Sequence, residues 1–168
     1  MTILKTILTV FITALAVYCF FPYIKDIVKG KTKPHIYTWI IFTITSTIAF
    51  VSNVYGGGGY GSIPLGIVIL FNIAIVLLSL KHGTKNIDKK DTVLMSLALL
   101  SILMWYVFNN PFVSVLMATL VDALGYVPTF RKIWSNPESE TVSFWFMIGL
   151  SQILTIFTNI SYNFYTCF

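Results

Sequence analysis

Two trios of polar and aromatic residues lie where the chain is otherwise apolar, and their residue types suit the binding of a solute. Members of a trio are seven residues apart: Trp39, Ser46 and Asn53 in one, and Trp145, Gln152 and Asn159 in the other. Because a step of seven drifts only about 20° around an α-helix, each trio should form one stripe. Lipid offers an amide no partner, so we expect both stripes to line a cavity. The alternative is that they join neighbouring helices by hydrogen bonds.

Two further polar residues, Asn72 and Asp122, interrupt apolar segments. Asn72 is a second candidate for the cavity wall. Asp122 is an acidic residue deep in an apolar segment, and the Lys and Arg residues within these segments, Lys5 and Arg131, lie at segment ends and not at its depth. We therefore expect Asp122 either to be protonated part of the time, as a proton-coupling site, or to be a structural carboxyl held by hydrogen bonds. His35 and His82 are isolated and the two cysteines have no metal-ligand spacing, so we expect neither a metal nor a cofactor.

The composition indicates an integral membrane protein. Of the 168 residues, 57% are hydrophobic and only 10% are charged, and the mean hydropathy is +0.83. Six apolar segments are predicted to be membrane-spanning helices, at about 3–24, 36–55, 63–80, 92–108, 112–131 and 142–162. The basic residues that give the net charge of +5 alternate with these segments. We therefore expect membrane lipid, and not nucleic acid, around the chain.

The basic residues predict the orientation. Ten of the eleven follow the first, third and fifth spans, with Lys5 as the exception, whereas the connections after the second and fourth spans have none. By the positive-inside rule the N-terminus and residue 168 should lie outside and the basic loops in the cytoplasm, in a bacterial or archaeal cell membrane. The glycine run 56–59 lacks the lysine of a phosphate-binding loop, and we expect a flexible outer loop there.

The chain repeats itself at an offset of 106 residues. Matches include residue types that are scarce in membrane spans, namely Pro22 with Pro128, Trp39 with Trp145, and Asn53 with Asn159. The equivalent spans run in the same direction, which predicts two parallel three-helix bundles joined by a linker helix. The units are 1–80, 81–110 with a basic cytoplasmic loop and the linker, and 111–168. Because Ser62 corresponds to Phe168, the second unit has two helices, and we expect a seventh helix to be missing or supplied by a partner or a second copy.

The two prolines lie near the ends of equivalent helices. Proline removes a helix hydrogen bond, so Pro22 and Pro128 could be hinges that open and close the bundle, or static kinks that shape it. Both are followed within four residues by basic side chains, then by a short polar loop and a Ser- or Thr-containing helix start.

This frame resembles the PQ-loop superfamily, which includes the SWEET and SemiSWEET sugar transporters, cystinosin and the KDEL receptor. The segments 31–39 and 126–132 are similar to a bacterial branch of that superfamily, although Tyr23 and Thr129 replace the glutamine of its name. The resemblance implies two three-helix bundles with a linker helix, a central site and alternating access. It also implies a pocket lined by Asn72, Ser46 and Trp145, with proline hinges.

We therefore expect an all-α membrane transporter, a facilitator or proton-coupled carrier of a small polar solute such as a sugar or an amino acid. The sequence contains no intramembrane nucleophile and base pair and no phosphate loop, so we do not expect an enzyme. Two alternatives stay open. One is a receptor or assembly subunit on the same fold, and the other is an incomplete fragment that depends on a partner.

Overall fold

A computed structural model describes residues 2–84, 88–108 and 111–167, and within these ranges every regular element is a helix. The long helices are α1 (Thr2–Val28), α2 (Ile36–Tyr55), α3 (Ser62–His82), α4 (Lys89–Phe108), α5 (Pro111–Ser135) and α6 (Val142–Thr155). A short helix, α7 (Phe164–Cys167), comes last. Single 3₁₀ turns occupy Gly59–Gly61, Pro137–Ser139 and Ile156–Thr158. The prediction of an all-helical chain is confirmed for the described residues.

Three helices are long and apolar enough to cross a membrane: Ile3–Val28, Ile36–Tyr55 and Gly59–His82. A fourth apolar helical stretch, Val142–Thr158, is shorter. The outward faces carry large apolar side chains, and Phe21, Leu70 and Phe146 are each more than 60% exposed. A continuous apolar exterior of this kind is costly in water and favourable in lipid, so the fold is compatible with a membrane location.

The packing of the helices follows the offset of 106 residues. Helix α1 packs against α6, and α2 packs against α5. Since the offset maps α1 onto α5 and α2 onto α6, these two interfaces are equivalent. Helix α3 packs against both α1 and α2, whereas α4 packs against α5 and α2. Pro22 and Pro128 both lie inside continuous helices.

The long helices alternate in direction, which gathers the basic loops at one end. There the Thr141 hydroxyl donates to Asp26 Oδ2 at 2.9 Å, and the Thr84 amide donates to the Pro34 carbonyl at 3.0 Å. We call this the inner end. At the opposite, outer end, the Asn163 side chain donates to the Gly56 carbonyl at 2.8 Å.

The last predicted span, 142–162, is not one continuous helix. Helix α6 ends at Thr155, a 3₁₀ turn follows, and Asn159 is extended, with φ −62° and ψ 138°. The hydroxyls of Thr155 and Thr158 donate to the carbonyls of Ser151 and Thr155 at 2.9 and 2.6 Å. Such local bonds compete with the helical ladder, and the side chain of Asn159 is drawn into contacts with other helices.

Candidate functional site

A polar cavity of about 290 Å³ lies among α2, α5, α6 and α7. Its polar wall includes Thr45, Ser46, Asn53, Asp122, Gln152 and Asn159. The wall also includes Leu65 at the start of α3 and Gly149 on α6. Hydroxyls, amides and one carboxylate thus face a space large enough for a small molecule, which is the usual makeup of a binding pocket.

The predicted site residues divide into four groups. Five of them line the cavity: Ser46, Asn53, Asp122, Gln152 and Asn159. Asn72 lies directly behind the wall, where its Nδ2 donates to Ser46 Oγ at 3.3 Å. Trp39 and Trp145 are instead part of an aromatic cluster toward the inner end, and Pro22 and Pro128 lie elsewhere in α1 and α5.

The two repeat-equivalent asparagines meet at the outer end of the cavity. Asn53 Nδ2 donates to Asn159 Oδ1 at 3.1 Å, and both side chains also donate to the Thr166 carbonyl on α7. The Ser62 hydroxyl donates to Asn53 Oδ1 at 2.9 Å. The asparagine pair therefore lines the cavity and also joins helices by hydrogen bonds, which are the two alternatives that the sequence left open.

The glycine run forms a packed turn over this asparagine pair, and the expectation of a flexible loop is wrong. The Gly58 amide donates to the Asn53 carbonyl at 2.9 Å. A Cβ on Gly58 would lie 1.9 Å from Asn53 Oδ1, and one on Gly61 would lie 2.3 Å from Asn159 Oδ1. Glycine is needed because the backbone approaches both amides more closely than any side chain permits.

Asp122 is held at one of its two oxygens. Thr45 Oγ1 on α2 donates to Asp122 Oδ1 at 2.6 Å. The same hydroxyl lies 3.1 Å from the Ile41 carbonyl, so it stays close to its own helix. The expected hydrogen-bonded carboxyl is present, and its partner is a threonine. The sequence held one signal for Thr45, because the offset pairs it with Ser151, another small hydroxyl residue.

Aromatic rings close the cavity toward the inner end. The repeat-equivalent Trp39 and Trp145 lie with ring centroids 5.8 Å apart. Tyr23 stacks on Phe144 at 4.3 Å, and Phe42 lies 4.7 Å from Tyr126. Tyr126 reaches the cavity wall, so this aromatic cluster is continuous with the cavity.

A polar network centred on Glu140 lies beyond the aromatic cluster. The carboxylate accepts hydrogen bonds from the Tyr23 hydroxyl and from Trp145 Nε1, each at 3.1 Å, and it pairs with Lys132. Lys132 also donates to the Lys33 carbonyl. This network thus connects four parts of the chain: α1, the loop before α2, α5 and α6.

Glu140 could not be singled out from the sequence, because acidic residues before a helix are usually solvated. The contact of His35 could not be predicted from the sequence either. Its Nε2 lies 3.2 Å from Asp91 Oδ2, in a buried pair that joins the start of α2 to α4. Among the described residues, no three His, Cys, Asp or Glu side chains are placed to hold a metal ion.

Comparisons with known proteins identify no relative: no protein-family model, no curated protein and no solved structure matches the chain. The site must therefore be interpreted from its own geometry. A cavity with hydrogen-bond donors, acceptors and one carboxylate in its wall can bind and orient a small polar molecule.

Proposed function

We propose that the chain is a membrane carrier that moves a small polar solute, such as a sugar or an amino acid, by alternating access through this cavity. The main support for the proposal is that the cavity lies between two contacts, each of which joins a pair of repeat-equivalent residues. Asn53 meets Asn159 at the outer end, and Trp39 meets Trp145 toward the inner end. Two related halves that meet around a central polar site are typical of carriers.

Both ends of the cavity are closed by contacts that a small movement of the halves would break. At the inner end these are the hydrogen bond from Tyr23 of α1 to Glu140, just before α6, and the ring contact of Trp39 on α2 with Trp145 on α6. At the outer end they are the asparagine pair and α7. Alternating access requires such closures on both sides of one site, each made of contacts that can be exchanged as a set.

The proposed membrane arrangement has six spans, formed by α1 to α6, in two parallel units joined by α4. The basic loops at the inner end lie in the cytoplasm by the positive-inside rule, in a bacterial or archaeal cell membrane. This arrangement agrees with the proposed relationship to the PQ-loop superfamily. Pro22 and Pro128 are the proposed hinges, since each removes a hydrogen bond from an otherwise continuous helix.

The second unit has an uncovered face where the first has α3. Ser46 is covered by Asn72 of α3, whereas its equivalent, Gln152, is exposed. A Cβ added to Gly149, one turn before Gln152, would meet nothing within 4 Å. A seventh helix from a partner or a second copy is the proposed occupant of this face.

Uptake into proteoliposomes tests the proposal. Radiolabelled sugars and amino acids would be offered to the wild type and to Gln152→Trp, in which an indole occupies the cavity. The matched control is Ile153→Trp, because Ile153 is the next residue and is 60% exposed on the outer surface. We expect saturable uptake that Gln152→Trp abolishes and Ile153→Trp retains. Absence of uptake of every solute by folded protein would count against a carrier.

The uncovered face of α5 and α6 also favours a second candidate function, a receptor or assembly subunit that binds a partner helix without moving solute. Substitution of Pro22 and Pro128 separates the two. A carrier should lose transport and retain ligand binding, because the hinges serve movement alone, whereas a receptor should be unaffected.

A further inference from the structure

The charge of the cavity wall indicates which class of polar solute could bind, which the hydrogen-bonding groups alone do not. Asp122 is the one ionisable carboxylate among the residues that line the cavity, and no Lys, Arg or His lines it in the described part of the chain. Thr45 donates to Oδ1, and no described residue donates to Oδ2. One carboxylate oxygen thus faces the cavity and can accept a further hydrogen bond.

Basic side chains near the two ends are engaged elsewhere. Lys132 pairs with Glu140, and Arg131 lies 3.4 Å from Asp88 Oδ2. At the outer end, Lys5 donates to the Asn159 carbonyl and lies over the Tyr162 ring at 4.5 Å. Among the described residues, no ion pair includes Asp122. A carboxylate in such a place requires a proton or a cation from outside the chain.

An organic ammonium fits the space better than a bare metal ion. The cavity has about 290 Å³, which corresponds to roughly ten water molecules. The Gln152 amide lies on the same wall and can bond another polar atom of a solute, whereas the amides of Asn53 and Asn159 already bond each other and the Thr166 carbonyl. Tyr126, one helical turn from Asp122, also lines the cavity.

We propose that the cavity binds a small solute that carries a protonated amine, with the ammonium at Asp122 Oδ2 and another polar atom directed to the Gln152 amide. The inference rests on the proposed function for the role of the cavity as a solute site. It adds the charge of the solute. The negative charge of Asp122 is then neutralised by a proton when the cavity is empty and by the ammonium group when a solute is bound.

Pairs of solutes that differ only in an amine test the proposal by binding, without any transport. The probes are glucosamine with glucose, and 4-aminobutanol with 1,4-butanediol. Apparent affinity would be measured from ligand-induced thermal stabilisation of the purified full chain in nanodiscs. A charge-assisted hydrogen bond predicts that each amine binds at least about tenfold more tightly than its partner.

Asp122→Asn should remove this preference, because its amide can still accept from Thr45 but carries no charge. Glu138→Gln, at an exposed acidic residue outside the cavity, is the matched control and should keep the preference. Equal binding of amine and hydroxyl partners by the wild type, no binding of either amine, or a preference that survives in Asp122→Asn would overturn the proposal. Amine binding without uptake would contradict the carrier alone, and uptake of glucose without an amine preference would contradict this inference alone.

Discussion

Replacing Tyr23 by phenylalanine should loosen the inner closure without disturbing its packing. Tyr23 is fully buried and stacks on Phe144, and phenylalanine preserves those contacts. The change removes the hydrogen bond from the Tyr23 hydroxyl to Glu140, which links α1 to the start of α6. A hydrogen bond to a charged group contributes about 2 kcal/mol. If opening toward the inner side breaks this bond, the open population should rise roughly thirtyfold, because 1.4 kcal/mol is a factor of ten.

The assay is modification of a cysteine in the cavity by a membrane-impermeant thiol reagent. Gly149→Cys is a suitable reporter, since Gly149 lines the cavity and a Cβ there meets nothing within 4 Å. Cys19 and Cys167 would be replaced by alanine in this background. In inside-out vesicles, the reporter should react roughly thirtyfold faster when Tyr23→Phe is added.

Tyr18→Phe is the matched control for this experiment. Tyr18 lies on the same helix and is 64% exposed on the outer surface, so it takes no part in the inner closure. Its replacement should leave the modification rate unchanged. If Tyr23→Phe reacts no faster than Tyr18→Phe, the hydrogen bond to Glu140 does not hold the inner end closed, and the reasoning is refuted.

Three further predictions concern stability and coupling. Gly58→Ala should lower the melting temperature in detergent, because the added Cβ would clash with Asn53. Gly149→Ala is the control and should be neutral or stabilising, because its Cβ meets nothing within 4 Å. If the two substitutions changed the melting temperature equally, the glycine turn would not be packed against Asn53. Lys132→Met and Glu140→Gln should be non-additive by about 1 kcal/mol or more in a double-mutant cycle of unfolding, and additivity would remove the buried pair from the account. Amine uptake should decrease as pH falls, because protons compete for Asp122, and the residual uptake of Asp122→Asn should not; a variant with full pH dependence would exclude proton coupling at this residue.

The offset of 106 residues identified residues that lie close together in the structure, although the sequence alone did not predict that equivalent residues contact each other. Asn53 and Asn159 are hydrogen-bonded to each other, and Trp39 and Trp145 are in ring contact. Equivalent residues on equivalent helices meet when the two units pack symmetrically, so a repeat carries three-dimensional information that composition does not. The alternation of basic loops likewise predicted which helix ends lie together.

Other parts of the site could not be read from the sequence. Glu140 and Thr45 act through contacts with side chains on other helices. Nothing in the sequence distinguishes Glu140 from a solvated acid, and the one signal for Thr45 is its pairing with Ser151 under the offset. The glycine run was predicted to be a flexible outer loop because the close approach of its backbone to Asn53 is visible only in three dimensions. The early end of α6 has the same origin, since Asn159 leaves the helix for a partner 106 residues away.

Counterflow in proteoliposomes tests the central claim most directly. Vesicles would be preloaded with an unlabelled solute identified by uptake, and entry of the labelled solute would be followed with and without preloading. A carrier with one cavity and two closures predicts that preloading accelerates entry, because the loaded form returns across the membrane for another turnover. An entry rate that does not respond to preloading, in vesicles where the protein is folded, would contradict the account.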